Sequence, residues 1–318
     1  GAEFPESVEM KRDFERIRRW GFNGLRLYQL PPPDLLNRAQ DFGLSLALGL
    51  PWFWTSAFLL CRGTWRDQMR GMIEAAEPIL SHPSVELIYV ANEIPADLVR
   101  WMGPAEVCPA LDHLIAEVKL AYPGKLVGYA NYPSTEYLEV DGADFTAFNI
   151  YLEDSVELSA YLRRLRLLSA DRPLIVSEIG LDSEHKDDLW QAGLLPKLMR
   201  SVTAAGIAGL THFTYSDLWW NQGRLVEEWS FGLVDRRGRE KPAAQIFPGL
   251  WEMQPVSSKS PSLAVIVCTC NGAAQLAECL NSLLGQSEAL DEIIVVDDGS
   301  EDGTAELCAR YPEVRYLY

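Results

Sequence analysis

Short apolar runs of β character alternate along most of the chain with longer stretches whose apolar residues recur at helical spacing. Glu6 to Trp20 places Met10, Phe14 and Ile17 on one helical face, and Gly21 ends the helix. Phe22 to Tyr28 reads as a strand. In PPPDLLNRAQDFG the prolines stop that strand, Asp34 can cap, and a helix runs to Gly43. Leu44 to Pro51 is continuously apolar and predicts a strand buried on both faces. Arg66 to Leu80 predicts one helix, and His82-Pro83 turns into the strand VELIYVANE, Val85 to Glu93. Helices are expected over Asp97 to Met102, Ala110 to Tyr122, Glu157 to Leu168 and Leu189 to Ala205, the last kinked or broken at Pro196. The remaining strands are Lys125 to Asn131, Phe145 to Tyr151, Leu174 to Glu178 and Gly209 to Tyr215.

Strand–helix alternation at this spacing is the pattern of an α/β protein with a parallel sheet, here a (β/α)8 TIM barrel. Seven strands are visible and a closed barrel needs eight, so the first strand is expected to precede Gly1. An open doubly wound sheet fits less well, because no glycine-rich βα turn follows an early strand. The polar, Ser/Pro-rich stretch QPVSSKSPS separates domain 1–253 from a second α/β pattern at 263–318, with 254–262 as linker. That second pattern is a strand at Leu263 to Thr269, a helix at Ala273 to Leu284, a strand at Glu292 to Asp297, a helix at Thr304 to Arg310 and a further strand from Val314. A chain of 318 residues suits one barrel plus an extension, and both of its ends read as cut from something longer.

Hydrophobic residues make up 48% of the chain, enough for a large core. The net charge of -17 repels phosphate and argues against nucleic acid as a partner. It suits a neutral oligo- or polysaccharide. The six cysteines lack zinc-ribbon spacing and read as buried free thiols of a reducing compartment, which favours a cytoplasmic setting. No stretch reaches the ~20 apolar residues of a membrane span, and no signal peptide is visible. A membrane-associated parent protein is compatible with both observations.

The candidate chemistry sits at strand ends. Glu93 closes VELIYVANE and Glu178 closes PLIVSE. Two carboxylates delivered to one face of a rigid barrel meet the needs of retaining glycoside hydrolysis. One protonates the leaving oxygen, and the other attacks from ~5 Å away. Glu93 is the expected acid/base and Glu178 the expected nucleophile. Arg26, ending a strand at the same face, is the expected cation beside Glu178, and Tyr151 a donor to it. Asn92 is placed to bind a sugar 2-hydroxyl. Of Trp52, Trp54, Trp101, Trp219, Trp220 and Trp229, Trp52 and Trp219 are favoured as sugar platforms, with Trp220 as a further candidate. His212 reads as a packed barrel residue. This chemistry calls for no cofactor and no metal.

HPSVELIYVANE and PLIVSEIG resemble the acid/base and nucleophile strands of clan A glycoside hydrolases, particularly the family 2 catalytic barrel. RRWGFNGLRLY and FGLVDRRGREKPA resemble its early helix–strand unit and its tail. The resemblance implies the same roles for Asn92, Glu93 and Glu178, matches Tyr151 to a strand-6 tyrosine, and matches Trp219 or Trp220 to a tryptophan after strand 8. That family carries its tryptophan at the strand end itself, where this chain has Thr214-Tyr215-Ser216.

SLAVIVCTCNGAAQLAECLNSLLGQS and DEIIVVDDGSEDGT resemble the start of family 2, GT-A type glycosyltransferases. This implies nucleotide contact by Asp297 and Asp298 in the parent protein. The family's metal-binding Asp-x-Asp and its catalytic base have no counterpart in this chain, so transfer from a nucleotide sugar is expected of the parent alone. The sequence reading is a retaining β-glycosidase or transglycosidase acting during bacterial-type polysaccharide synthesis or modification. Its alternative is a non-catalytic carbohydrate-binding barrel attached to the transferase.

Overall fold

A computed structural model describes residues 4–52, 55–60, 64–221, 223–251, 263–286 and 290–318. The chain divides into two compact units, Gly1–Gln254 and Pro255–Tyr318. The expected linker 254–262 lies outside the described residues, as do Trp54 and Cys61.

The first unit holds a seven-stranded parallel sheet whose spatial order follows the chain. Its strands are β1 (Gly24–Leu27), β2 (Ser45–Gly49), β3 (Val85–Asn92), β4 (Leu126–Asn131), β5 (Thr146–Asn149), β6 (Leu174–Ile179) and β7 (Gly209–His212). The sheet forms a nearly closed barrel. Helices α1 (Ser7–Arg19), α2 (Pro33–Asp41), α3 (Thr64–Ala75), α4 (Glu77–Leu80), α5 (Ala96–Met102), α6 (Pro104–Ala121), α7 (Ser155–Leu168) and α8 (Asp188–Ala204) alternate with the strands except between β4 and β5, where a 3-10 turn at Pro133–Thr135 stands instead. The antiparallel hairpin β8 (Trp219–Asn221) and β9 (Arg224–Val226) follows β7, and α9 (Phe247–Trp251) comes after it.

Alternation along each strand sorts side chains between two layers. Leu46, Leu48, Ile88, Val127 and Val176 face outward and share one core with Phe14, Leu36, Leu111, Leu162 and Leu198 of the helices. Tyr89, Ala130, Phe145 and Ala147 form a separate, smaller cluster that fills the barrel interior. Gly128 makes room there, since a Cβ would lie 2.6 Å from the Phe145 ring.

Three expectations are corrected. The second strand is fully buried at alternate positions only: Leu46 and Leu48 are, while Ser45, Ala47 and Gly49 on its other face are half-buried. The helix expected over Arg66 to Leu80 is two, and Pro78 stands in the first turn of the second, where its missing N–H costs nothing. Helix α8 does not break at Pro196 but continues through it, since burial of Leu195, Leu198 and Met199 outweighs one lost hydrogen bond.

The second unit is a three-stranded parallel sheet of β10 (Ala264–Thr269), β11 (Glu292–Asp297) and β12 (Val314–Leu317), with α10 (Ala273–Leu284) and α11 (Thr304–Cys308). Its core joins Leu276 and Leu280 to Ile293, Val295 and Cys308. Ile266 is 63% exposed, on the strand face opposite that core. Cys268 and Cys270 are exposed with it, and Cys279 is exposed on α10, which corrects the expectation of buried thiols. No described helix is long and apolar enough to cross a membrane. Among the described residues, no group of three or more His, Cys, Asp or Glu is placed to hold a metal ion.

Candidate active site

Register shifts between Tyr89 and Asn92, Phe148 and Asn149, and Val176 and Ile179 interrupt the ladders at the C-terminal ends of β3, β5 and β6. Such irregularities re-aim side chains. Here they occur where Asn92, Asn149 and Glu178 converge. Glu93 follows β3 with φ 48°, a left-handed backbone that is uncommon outside glycine and costs free energy. Its amide donates to Ala130 O at 2.9 Å, and the next amide, Ile94 N, donates to the Tyr129 hydroxyl.

Arg26 is the hub. Its side chain is 3% exposed and Cζ lies 4.6 Å from the ring centres of both Tyr28 and Tyr89. Nη1 donates to Glu178 Oε1 at 2.8 Å, to Ser177 O at 2.7 Å and to Asn149 Oδ1 at 3.3 Å, and Nη2 donates to Asn92 Oδ1 at 2.6 Å. Burial works against the guanidinium charge, but the oxygens of Tyr28 and Glu178 outweigh it and leave its pKa above the ordinary value.

Glu178 is buried and accepts from three side chains. Arg26 and the Tyr28 hydroxyl, at 2.6 Å, hold Oε1, and the Tyr151 hydroxyl, at 2.5 Å, holds Oε2. Burial, reinforced by Glu178, pushes both phenols well above their usual range, so each stays a proton donor. Glu93 is half-buried and accepts from Asn149 Nδ2 at 2.9 Å. Burial raises its pKa above the ordinary carboxylate value; the Asn149 bond opposes this and the Glu178 charge adds to it. The two carboxylates thus differ in surroundings: Glu178 is clamped by three donors, and Glu93 accepts from one while burial raises its pKa. Asn92 Oδ1 is taken by Arg26 and by Asn149 Nδ2 at 3.0 Å, which leaves its own NH2 to meet a ligand.

The aromatic candidates separate. Trp219 packs edge-on against Tyr28 (5.3 Å between ring centres) and Phe213 (4.8 Å), so it walls the carboxylate site. Trp220, 39% exposed, is the next residue of the same strand and projects to the opposite face. Trp52 is partly buried, packs on Phe58 and donates its indole N–H to the Val90 carbonyl. Trp229 touches Phe213 and Phe231, and Trp101 is 73% exposed on α5. His212 packs on Phe247, and burial lowers its pKa to about 4.

Tyr28 and Asn149 escaped the sequence reading. Tyr28 had a usable signal, since it lies two residues beyond Arg26 and alternation sends it to the same side. Asn149 likewise lies two residues before Tyr151.

In the second unit, Asp297 is buried and internally satisfied. Ser300 donates to it through N (2.9 Å) and Oγ (2.5 Å), and Tyr316 donates at 2.6 Å. The Ser300 and Tyr316 hydroxyls lower its pKa. Asp298 is exposed, and its amide donates to Thr269 O.

The first unit has the fold of glycoside hydrolase barrels. β-Glucuronidase 2 from Bacteroides uniformis, covalently bound to cyclophellitol-6-carboxylate aziridine, superposes with TM-score 0.65 at 16% identity, over 83% of this chain and 36% of that one. GH5_18 from Streptomyces cattleya in complex with GlcNAc gives TM-score 0.67 at 15% identity, over 98% of this chain and 93% of that one. The GH2 β-galacturonidase from Eisenbergiella tayi bound to galacturonate gives 0.60 at 18% identity, over 79% and 48%. The chain spans about a third of the length of the Bacteroides uniformis protein. No curated protein matches in sequence. Residues 264–318 match the family model of glycosyl transferase family 2. The chain therefore joins a barrel of glycoside hydrolase fold to a segment that matches the glycosyl transferase family 2 model.

Proposed function

We propose that the barrel is a retaining β-glycosidase or transglycosidase acting on a β-glycan. The observation that carries this reading is the unlike environment of the two carboxylates, joined through Arg26 and Asn149. Glu93, inclined to hold its proton, donates it to the glycosidic oxygen. Glu178 Oε2, with one donor against two on Oε1, attacks the anomeric carbon and forms a glycosyl ester. Glu93, now a carboxylate, takes a proton from water or from an acceptor hydroxyl, which then displaces Glu178. The Asn92 NH2 meets the sugar 2-hydroxyl, and Trp219 lines the sugar face.

The Streptomyces cattleya relative, as its E-to-A variant, was solved with Manb1-4GlcNAc, a β-linked disaccharide, which supports a β-glycan here. The transferase match supports a glycan made by the attached synthase as substrate. Glu178→Gln is expected to abolish turnover and leave the fold intact, with a lower unfolding midpoint because the buried Arg26 charge loses its counter-ion. A 2-fluoro-glycoside is expected to label Glu178 covalently. Full turnover by Glu178→Gln would sink the assignment. Failure to label under any condition would favour a binding barrel.

A further inference from the structure

Ser177 precedes Glu178 on β6 and is completely buried. Its hydroxyl donates to Asn149 Oδ1 at 2.7 Å. Asn149, 1% exposed, turns the other end of its amide to the opposite carboxylate, and Nδ2 donates to Glu93 Oε1 and Asn92 Oδ1. One orientation of this amide fits. Flipped, it would set NH2 against Arg26, which has no acceptor, and its oxygen against Asn92 Oδ1, which has no proton.

Glu93 changes protonation in every cycle of the proposed reaction. An amide beside it would tend to turn with that proton. The groups holding Asn149 Oδ1 are the Ser177 hydroxyl at 2.7 Å and Arg26 at a longer 3.3 Å. We infer that Ser177 is a positioning residue which, through Asn149, sets how tightly Glu93 holds its proton, so that the strand bearing the nucleophile also tunes the acid/base. This rests on the reading of Glu93 and Glu178 as the catalytic pair.

Among the described residues, Asn149 is the one side-chain hydrogen-bond donor to the Glu93 carboxylate. The titratable groups around Glu93 are Arg26 from β1, Tyr28 just after it, Tyr129 from β4, Tyr151 after β5 and Glu178 from β6. Among the described residues the hydrogen bond of the Ser177 hydroxyl goes to Asn149 and to none of these groups, so its removal reaches Glu93 by way of Asn149.

The test is a carbon-13 NMR titration of Glu93 in the whole chain labelled at glutamate side chains, its signal identified by loss in Glu93→Gln. Ser177→Ala is expected to raise the Glu93 midpoint by about half a pH unit, a weakened hydrogen bond favouring the proton. The alkaline limb of kcat/KM should move by the same amount in the same direction. Ser177→Cys, with a weaker donor, should give a smaller shift of the same sign, and it carries the comparison where Ser177→Ala does not fold. In an Asn149→Ala background, Ser177→Ala should add nothing. An unmoved midpoint in folded Ser177→Ala and Ser177→Cys, or an equal added shift in the Asn149→Ala background, overturns the proposal. A parent chain that turns over no glycoside yet shows the shift supports the relay and overturns the catalytic reading instead.

Discussion

Glu93 holds its carboxyl where burial and the charge of Glu178 both work against ionisation. Its pKa is raised in the folded chain, so the proton binds more tightly there than in the unfolded chain. The stability this contributes is fully present below the ordinary value and is lost as pH rises through the raised one. Glu93→Gln keeps an oxygen for Asn149 and removes the charge. It is therefore expected to be more stable than the parent at about pH 7, with the difference closing by about pH 4, as urea unfolding at the two pH values would show. The same variant should lose turnover of glycosides with poor leaving groups, because no acid remains to protonate them. Glu93 and Glu178 were legible because each closes an apolar run. Asn149 was harder to read, because its one local signal is its place two residues before Tyr151, while its partners arrive from β1, β3 and β6.

At the scale of elements, β6 and the segment after β7 come close enough to exclude a side chain. A Cβ on Gly180 would lie 2.0 Å from Phe213 O and 3.1 Å from the Phe231 ring. Phe213 also touches Trp219, which packs on Tyr28, and Tyr151, which holds Glu178. Gly180→Ala must push that backbone aside, at a cost of about 1–3 kcal/mol by analogy with overpacked cores. It should also weaken substrate binding, visible as a higher KM together with a lower unfolding midpoint. The strand positions were readable because each is a short apolar run with a helical stretch behind it. The break before α4 and the passage of α8 through Pro196 were not, because proline at a helix start and proline within a helix differ by packing that the local sequence does not carry. The β8–β9 hairpin was missed for a related reason. Its strands, Trp219–Asn221 and Arg224–Val226, are too short for alternation to stand out.

The whole molecule carries a net charge of -17. A neutral glycan feels little of that field, whereas a uronic acid polymer is repelled until salt screens it. Turnover of neutral β-glucans is therefore expected to be nearly independent of ionic strength, and any turnover of a polyuronide to rise with salt. A panel of β-1,2, β-1,3, β-1,4 and β-1,6 glucans alongside a polyuronide checks this in one set of kcat/KM values. A polyuronide preferred at low salt would contradict it. Periodicity, glycine and proline placement and strand-terminal carboxylates determined by themselves that the chain is a βα barrel followed by a second α/β segment, and which two glutamates to examine. These are local properties, written within a few residues of one another. Tertiary structure alone decided that Arg26 packs on two tyrosine rings, that Tyr28 joins the expected Tyr151 on Glu178, one to each oxygen, and that Asn149 joins the two carboxylates. Those contacts link residues more than a hundred positions apart or on different strands, and only closing the sheet around a common interior brings them within hydrogen-bonding distance.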